Sequence, residues 1–217
     1  MKVLGIVCSP RKGGNTEILM QVALDAAQKL GAETELWTAS GKDLKPCDGC
    51  ESCRRKGGVC RIQDDMTGLY PKILAADGII FGSPAYFMSV TAQAKIIIDR
   101  IHALYTHYLL ANKVAGIIAV ANSRGHEGVL QGFSNLFRSC HIIQADLATG
   151  WAQEKGEVRK DDFGMKNAEE LGKQMVALIN QKPCWPEEYR RPIHRIVKED
   201  YGIDPFPLRH TRQKKSE

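Results

Sequence analysis

Four of the chain's seven cysteines fall in one short stretch, at Cys47, Cys50, Cys53 and Cys60. Two-residue gaps separate the first three, and a longer gap precedes the fourth. Thiolates at that spacing can cap three irons of one cubane, with the fourth ligand arriving from farther along the loop. Gly57 and Gly58 supply the bend that returns Cys60, and Asp48-Gly49 supplies a tight turn between the first two ligands. Arg54, Arg55, Lys56 and Arg61 bring positive charge where four thiolates would bring negative charge. Structural zinc usually takes two C-x-x-C pairs across a longer spacer and fits the spacing less well. Zinc, an empty loop and disulfides remain the rivals of a [4Fe–4S] cluster. Cys8, Cys140 and Cys184 stand apart and read as bystanders, since buried free cysteine is common.

Three further stretches carry ligand-binding chemistry. Residues 9–16 offer hydroxyls at Ser9 and Thr16, the Asn15 amide, the Arg11 guanidinium and two glycines, just ahead of a helix start. A helix N-terminus adds open N–H groups and partial positive charge, so the set suits a phosphate monoester. The spacing is neither that of a P-loop nor that of the dinucleotide fingerprint. An ordinary Gly-rich turn with a capping Asn or Thr would carry the same residues. Residues 83–87 place Pro84 and Ala85 before Tyr86 and Phe87, two rings that can wall a planar ligand by stacking. A core-packing aromatic pair is the other reading. Residues 122–128 are polar and Gly-rich, and Ser123 and Gly125 could reach the ring or its side chain. Phosphate chemistry in one loop and aromatic rings in the next point to a flavin mononucleotide.

These loops need a frame that brings them to one edge. Residues 2–9 read as a buried strand. Ile18, Leu19, Val22, Ala23, Ala26, Ala27 and Leu30 follow helical spacing, which predicts a helix over 16–30 stopped by Gly31. A second strand at 33–38 completes a strand–helix–strand unit, so the sheet is parallel. Further strands are expected at 78–82, 113–121 and 141–149. Helices are expected at 64–76, 91–104, 129–139 and 168–180. Asp64-Asp65 reads as a helix start, where carboxylates are favoured. Five strands alternating with helices predict a flavodoxin-like, doubly wound α/β sheet, whose ligands sit beyond the carboxyl ends of the strands. The chain divides into an FMN-binding domain over 1–181, with the cysteine loop at 42–63, and a C-terminal extension over 182–217. That extension holds five of the nine prolines and is expected to pack on the domain or on a neighbouring subunit.

With 217 residues, 43% apolar and 25% charged, the chain can bury a core without disulfides. No apolar run reaches the ~18 residues of a membrane span. The chain opens on a strand-like run with no signal-peptide pattern, so the cytoplasm is expected. Thirty Lys and Arg against 25 Asp and Glu leave a net charge of +5, which can steer an acidic partner. No basic helix with interleaved aromatics is present, so nucleic acid is not expected. His102, His107, His126 and His141 are scattered without metal spacing, and no Ser-His-Asp or Cys-His arrangement stands out.

The run from Cys47 through Cys60, then Asp64-Asp65-Met66, then Ser83 to Lys95, resembles the iron–sulfur flavoproteins, a group within the NADPH-dependent FMN reductase-like proteins. The resemblance covers residues 1–180. It implies a flavodoxin-like fold, FMN at the three loops near a subunit interface, and a cluster near a flavin of a homodimer or homotetramer. On that footing Ser9, Arg11, Asn15 and Thr16 hold the FMN phosphate. Pro84, Ala85, Tyr86 and Phe87 contact the isoalloxazine, joined by Ser123 and Gly125. Cys47, Cys50, Cys53 and Cys60 ligate a [4Fe–4S] cluster. The implied function is an FMN-dependent oxidoreductase that carries electrons between an acidic one-electron donor such as ferredoxin, the cluster, FMN and a small-molecule acceptor. The flavin does the chemistry, so no catalytic acid or base is required. One alternative is an NAD(P)H-dependent FMN or quinone reductase without a functional cluster. Another is a redox-sensing FMN-binding module that uses the cysteine loop to engage a partner.

Overall fold

The structure, a computed structural model, describes residues 1–204. Strands β1 (Lys2–Val7), β3 (Gly78–Pro84) and β4 (Val114–Ala121) are buried along almost their whole length. Their continuous apolar character follows from helices lying on both faces of the sheet. The edges are β2 (Glu33–Thr38) and β5 (Ile143–Trp151), which alternate buried and more exposed positions. The order is β2-β1-β3-β4-β5, with every pairing parallel. This is the flavodoxin-like order expected from the sequence.

Side chains alternate across each strand, so the core divides in two. Leu4, Ile6, Ile79, Phe81 and Ile117 face helices α3 (Met66–Ala75), α4 (Ala92–Arg100) and α6 (His126–Ser139). Val3, Val7, Ile80 and Ile118 face α1 (Asn15–Lys29) and α7 (Asp162–Asn180). Phe81 anchors the first layer, with ring centroids 5.3 Å from Phe133 and 5.6 Å from Phe137. Gly172 lets α7 lie directly on α1, since a Cβ there would run into the Ala23 carbonyl.

Several boundaries differ from the sequence reading. α6 begins at His126, inside a stretch read as loop, because its glycines serve contact rather than a turn. α7 begins at Asp162 rather than 168, with Asp161 Oδ1 accepting the Gly164 N–H at 2.9 Å as a cap. The exposed Phe163 hides the helical period there. The predicted helix over 91–104 breaks at Ile101 into α4 and the short α5 (His102–Tyr105). A one-turn helix, α2 (Ser52–Arg55), lies within the cysteine loop. Met1–Cys184 forms one compact unit, and a second begins at Trp185. The second unit contains helix α8 (Ile193–Tyr201), which the sequence reading left without structure. Arg191 there pairs with Glu199 at 2.6 Å and Asp200 at 2.9 Å. The part of the predicted extension over 205–217 lies outside the described residues. Among the described residues no helix is long and apolar enough to cross a membrane.

Candidate flavin site and cysteine loop

The loop after β1 ends on an uncapped helix. Gly14 is the extended N-cap of α1, and no side chain takes the N–H groups of the first turn. Ser9 and Thr16 are buried beside it. Ser9 Oγ accepts the Arg11 N–H at 3.1 Å, and Glu17 accepts the Gly13 N–H at 2.8 Å, so the loop is folded back on itself. Gly13 stands at φ +62°, a left-handed conformation that favours glycine. Ser9, Arg11, Gly14, Asn15 and Thr16 line one cleft of about 220 Å³, together with Pro84, Ala85 and Tyr86 from the loop after β3. The phosphate-type loop and the ring-type loop therefore meet at one edge of the sheet.

Asn15 does more than the sequence reading assigned to it. Its Oδ1 accepts the N–H groups of Gly156 at 2.8 Å and Val158 at 3.4 Å, while its Nδ2 donates to the Glu154 carbonyl at 2.8 Å. The amide straps the connection between β5 and α7 onto the phosphate-type loop. What remains for an anion is the Asn15 backbone N–H and one amide hydrogen. The strap brings Ala152 and Gln153 into the cleft wall, two positions that the sequence reading missed. Glu157 rigidifies the same connection by accepting the N–H groups of Glu154 and Gln153, bonds that hold its carboxyl below the usual range.

The ring-type loop is seated by its backbone. The Ala85 N–H donates to the Val120 carbonyl at 2.7 Å. Ser83 Oγ accepts the Thr91 N–H at 3.2 Å, and Thr91 Oγ1 donates to the Cys8 carbonyl at 2.6 Å. Tyr86 and Ser89 exchange backbone bonds of 2.9 and 3.1 Å around a two-residue turn. Phe87 and Met88 occupy that turn at φ +47° and +62°, as a primed hairpin turn requires. Phe87 crowns the turn fully exposed and does not line the cleft.

Asn122, Val120 and Ala121 line the cleft, whereas Ser123 and Gly125 do not. Gly125 instead lies under the second loop: a Cβ there would sit 3.0 Å from Ala85 Cβ and 3.2 Å from Met88 Cα. A Cβ on Gly128 would overlap the Met88 carbonyl oxygen. The glycines of α6 are thus the bed on which residues 85–89 rest.

The cysteine loop is held at its feet. Asp64 Oδ2 accepts the Lys45 N–H at 2.8 Å, Asp65 Oδ2 accepts the Asp43 N–H at 2.8 Å, and the Asp65 N–H donates to the Asp43 carbonyl at 3.0 Å. Arg100 grips Asp64 with both terminal nitrogens, at 2.7 and 3.1 Å, and neither side chain is exposed. Burial alone would raise the Asp64 carboxyl, but Arg100 and the N–H groups of Lys45 and Met66 outweigh it and hold it below the usual range. Asp64 does accept the Met66 N–H at 3.1 Å, as a helix start requires. Its larger role, the pair with Arg100, was not legible in the sequence. Gly58 packs over α5, and His107 Nε2 lies 3.3 Å from the Cys53 carbonyl.

All seven cysteines are free thiols. Burial pushes the Cys140 thiol up to about 12, and the Cys8 thiol up as well, in keeping with inert positions. Within the loop, hydrogen bonding with Ser52 lowers the Cys50 thiol, whereas burial raises that of Cys53. The donor set has the chemistry an iron–sulfur cluster needs: four reduced cysteines on one loop, with the buried Arg100 Nε left without a partner beside it. Among the described residues no three His, Cys, Asp or Glu side chains are gathered as a metal site.

Comparison with known proteins places this architecture. Residues 1–153 match the family described as NADPH-dependent FMN reductase. The chain is 40% identical over 189 residues to an iron–sulfur flavoprotein of Methanocaldococcus jannaschii, covering 82% of this chain and 97% of that one. It is 34% identical over 184 residues to an iron–sulfur flavoprotein of Methanosarcina thermophila, covering 82% and 95%. Among solved structures, a flavone reductase shares the fold with a TM-score of 0.68 at 20% identity, covering 83% of this chain and 63% of that one. A WrbA-like flavodoxin from Agrobacterium tumefaciens does so with a TM-score of 0.60 at 16% identity, covering 84% and 98%. The chain is accordingly a flavin-dependent oxidoreductase using FMN, and it belongs to the NADPH-dependent FMN reductase family and, within it, to the iron–sulfur flavoproteins.

Proposed function

We propose that this FMN-dependent oxidoreductase carries electrons between a one-electron donor such as ferredoxin, a [4Fe–4S] cluster on the cysteine loop, FMN, and a small-molecule acceptor. One observation carries the reading. Cys47 and Gly49 line a single groove of about 740 Å³ together with Ser89 and Val90, the residues that directly follow the ring-type turn. The thiol-bearing loop and the flavin loop thus border one space. When bound, FMN supplies one- and two-electron chemistry and the cluster one-electron chemistry. The chain's residues do the rest. The open first turn of α1, with Ser9, Arg11 and Thr16, takes the phosphate, and Asn15 holds residues 154–158 over it. Pro84, Ala85 and Tyr86 wall the ring, and the Thr91 bonds to β1 and β3 keep that wall in register. Cys47, Cys50, Cys53 and Cys60 are the cluster ligands, reached by closing a loop whose feet are already fixed.

The exposed apolar side chains of Tyr86, Phe87, Met88 and Trp151 support a homodimer or homotetramer, because a rim of that kind marks an interaction surface. The net charge of +5 supports an acidic donor. Raising salt is expected to slow reduction by that donor, and a flat salt profile would exclude steering. Seven free thiols accord with a reducing cytoplasmic setting.

Anaerobic purification followed by a visible spectrum and iron and sulfide assays tests the reading. Cys53→Ala is expected to lose the iron and sulfide while keeping its flavin. Equal iron in the variant and the parent would refute the ligand assignment. The match of residues 1–153 to the NADPH-dependent FMN reductase family favours a second reading, an NAD(P)H-dependent FMN or quinone reductase without a cluster. That reading predicts a yellow protein free of iron that is reduced directly by NADH or NADPH.

A further inference from the structure

One guanidinium closes the cysteine loop. Arg100 is 1% exposed, and its side chain reaches both ends of the loop at once. Nη1 donates to the Lys45 carbonyl at 2.8 Å, before Cys47. Nη2 donates to the Ile62 carbonyl at 3.4 Å, after Cys60. The same two nitrogens hold Asp64, whose carboxylate also takes the Lys45 N–H. The Tyr70 hydroxyl donates to the Arg100 carbonyl at 3.1 Å, which fixes the end of α4 against α3. Four of the five guanidinium hydrogens can be placed in this network, but Nε is buried with no hydrogen-bond partner.

A buried unpaired donor of this kind is destabilising, and more so when it is charged. The side chain that electrostatics couples to both Arg100 and Tyr70 is Cys60. Its sulfur is partly buried and lies within hydrogen-bonding reach of Tyr70. A thiolate or a cluster-bound thiolate at Cys60 would turn the orphaned N–H into a charge-assisted hydrogen bond.

We propose that Arg100 is the positioning residue of the cluster site: it clamps the two feet of the cysteine loop before any metal binds, and its Nε–H is the donor to the Cys60 sulfur in the closed loop. The second half rests on the cluster reading given above; the clamp does not. Donors to cluster sulfurs stabilise the more negative, reduced form and so raise the reduction potential. The wall of the site is therefore built by α3 and α4, and the loop supplies only the ligands.

The test uses the full chain with FMN bound and compares the parent with Arg100→Lys and with the double variant Asp64→Leu/Arg100→Met. Lysine keeps the charge facing Asp64 but cannot serve two carbonyls and has no Nε donor. The double variant replaces the buried pair by apolar groups of similar size, a change that proteins often accept without loss of stability. FMN content reports that each variant is folded. In both variants a chelator is expected to strip iron about 10–100-fold faster, the range typical of lost outer-shell partners. The cluster potential is expected to fall, and trypsin is expected to cut the metal-free loop faster between Lys45 and Arg61. Flavin-loaded variants with unchanged iron retention and unchanged potential would overturn the hydrogen bond to Cys60. Unchanged cleavage of the metal-free loop would overturn the clamp. A parent that binds FMN but takes up no iron during anaerobic reconstitution would defeat the cluster reading and with it the Cys60 bond, leaving the clamp to the cleavage comparison.

Discussion

Gly128→Ala separates two physical effects that pull in opposite directions. Gly128 lies within the first turn of α6, where alanine is the better helix former by about 1 kcal/mol. Propensity alone therefore predicts a slightly more stable protein. Sterics predicts a damaged flavin site. The added Cβ would overlap the Met88 carbonyl oxygen and lie 2.7 Å from its carbon, with Ser89 Cα at 3.2 Å. Ordinary contact between carbons begins near 3.5 Å, so the turn must retreat by roughly 1 Å. That turn has little freedom to absorb the shift, because Ala85 is bonded to Val120 and Tyr86 to Ser89. The retreat therefore passes to Ala85 and Tyr86, which wall the cleft. A displacement of this size at a binding site costs about 100-fold, or roughly 2.8 kcal/mol. Titration of the flavin-free protein with FMN, followed by flavin fluorescence, reads the affinity, and circular dichroism reads the helix content. Gly132→Ala, one turn along, is the control: its Cβ would meet only the Val90 side chain, at 3.0 Å from Cγ1, and no backbone of the turn. Weakened FMN binding in Gly128→Ala alone, with unchanged helix content, is the expected result. FMN affinity within twofold of the parent would refute the idea that α6 positions the ring-type turn.

Two further outcomes follow from the polar contacts. Asp64→Asn leaves the Arg100 guanidinium buried beside a neutral amide and should cost about 3–5 kcal/mol in urea unfolding. Because the folded-state Asp64 carboxyl is held below its ordinary value, the parent's advantage should be full above about pH 4 and shrink as pH falls further; an advantage that grows in acid would contradict the pairing. Asn15→Ala should release residues 154–158, seen as faster amide exchange at Gly156 and Val158, with weaker FMN binding; unchanged protection there would show that the strap is dispensable.

Much of the frame was readable because its signals are local. Continuous apolar runs at β1, β3 and β4 mark strands covered on both sides, and the spacing of Ile18, Leu19, Val22 and Ala23 marks α1. The cysteine spacing and the motif from Ser83 to Lys95 pointed to the family for the same reason. The misplaced starts of α6 and α7 share one cause. Glycines and aspartates read as loop residues from sequence, whereas here Gly128 makes room for Met88 and Asp161 caps a helix. Cleft residues Ala152 and Gln153 gave no signal, since what brings them in is a bond from Asn15 across more than a hundred residues.

The sequence by itself determined the chemistry on offer: thiols at cluster spacing, an open helix start for a phosphate, two rings behind a proline, and a parallel sheet whose loops share an edge. Those properties reside in residue type and short-range periodicity, which no distant neighbour can alter. Only the tertiary structure decided how the pieces are held. Arg100 reaches Lys45 and Ile62 because α4 packs under the cysteine loop, Asn15 gives its amide to residues 154–158, and Phe87 turns outward while Gly125 goes beneath Ala85. Each depends on where a buried polar group finds its partner or on how closely two backbones approach, and both are set by three-dimensional packing rather than by any pattern along the chain.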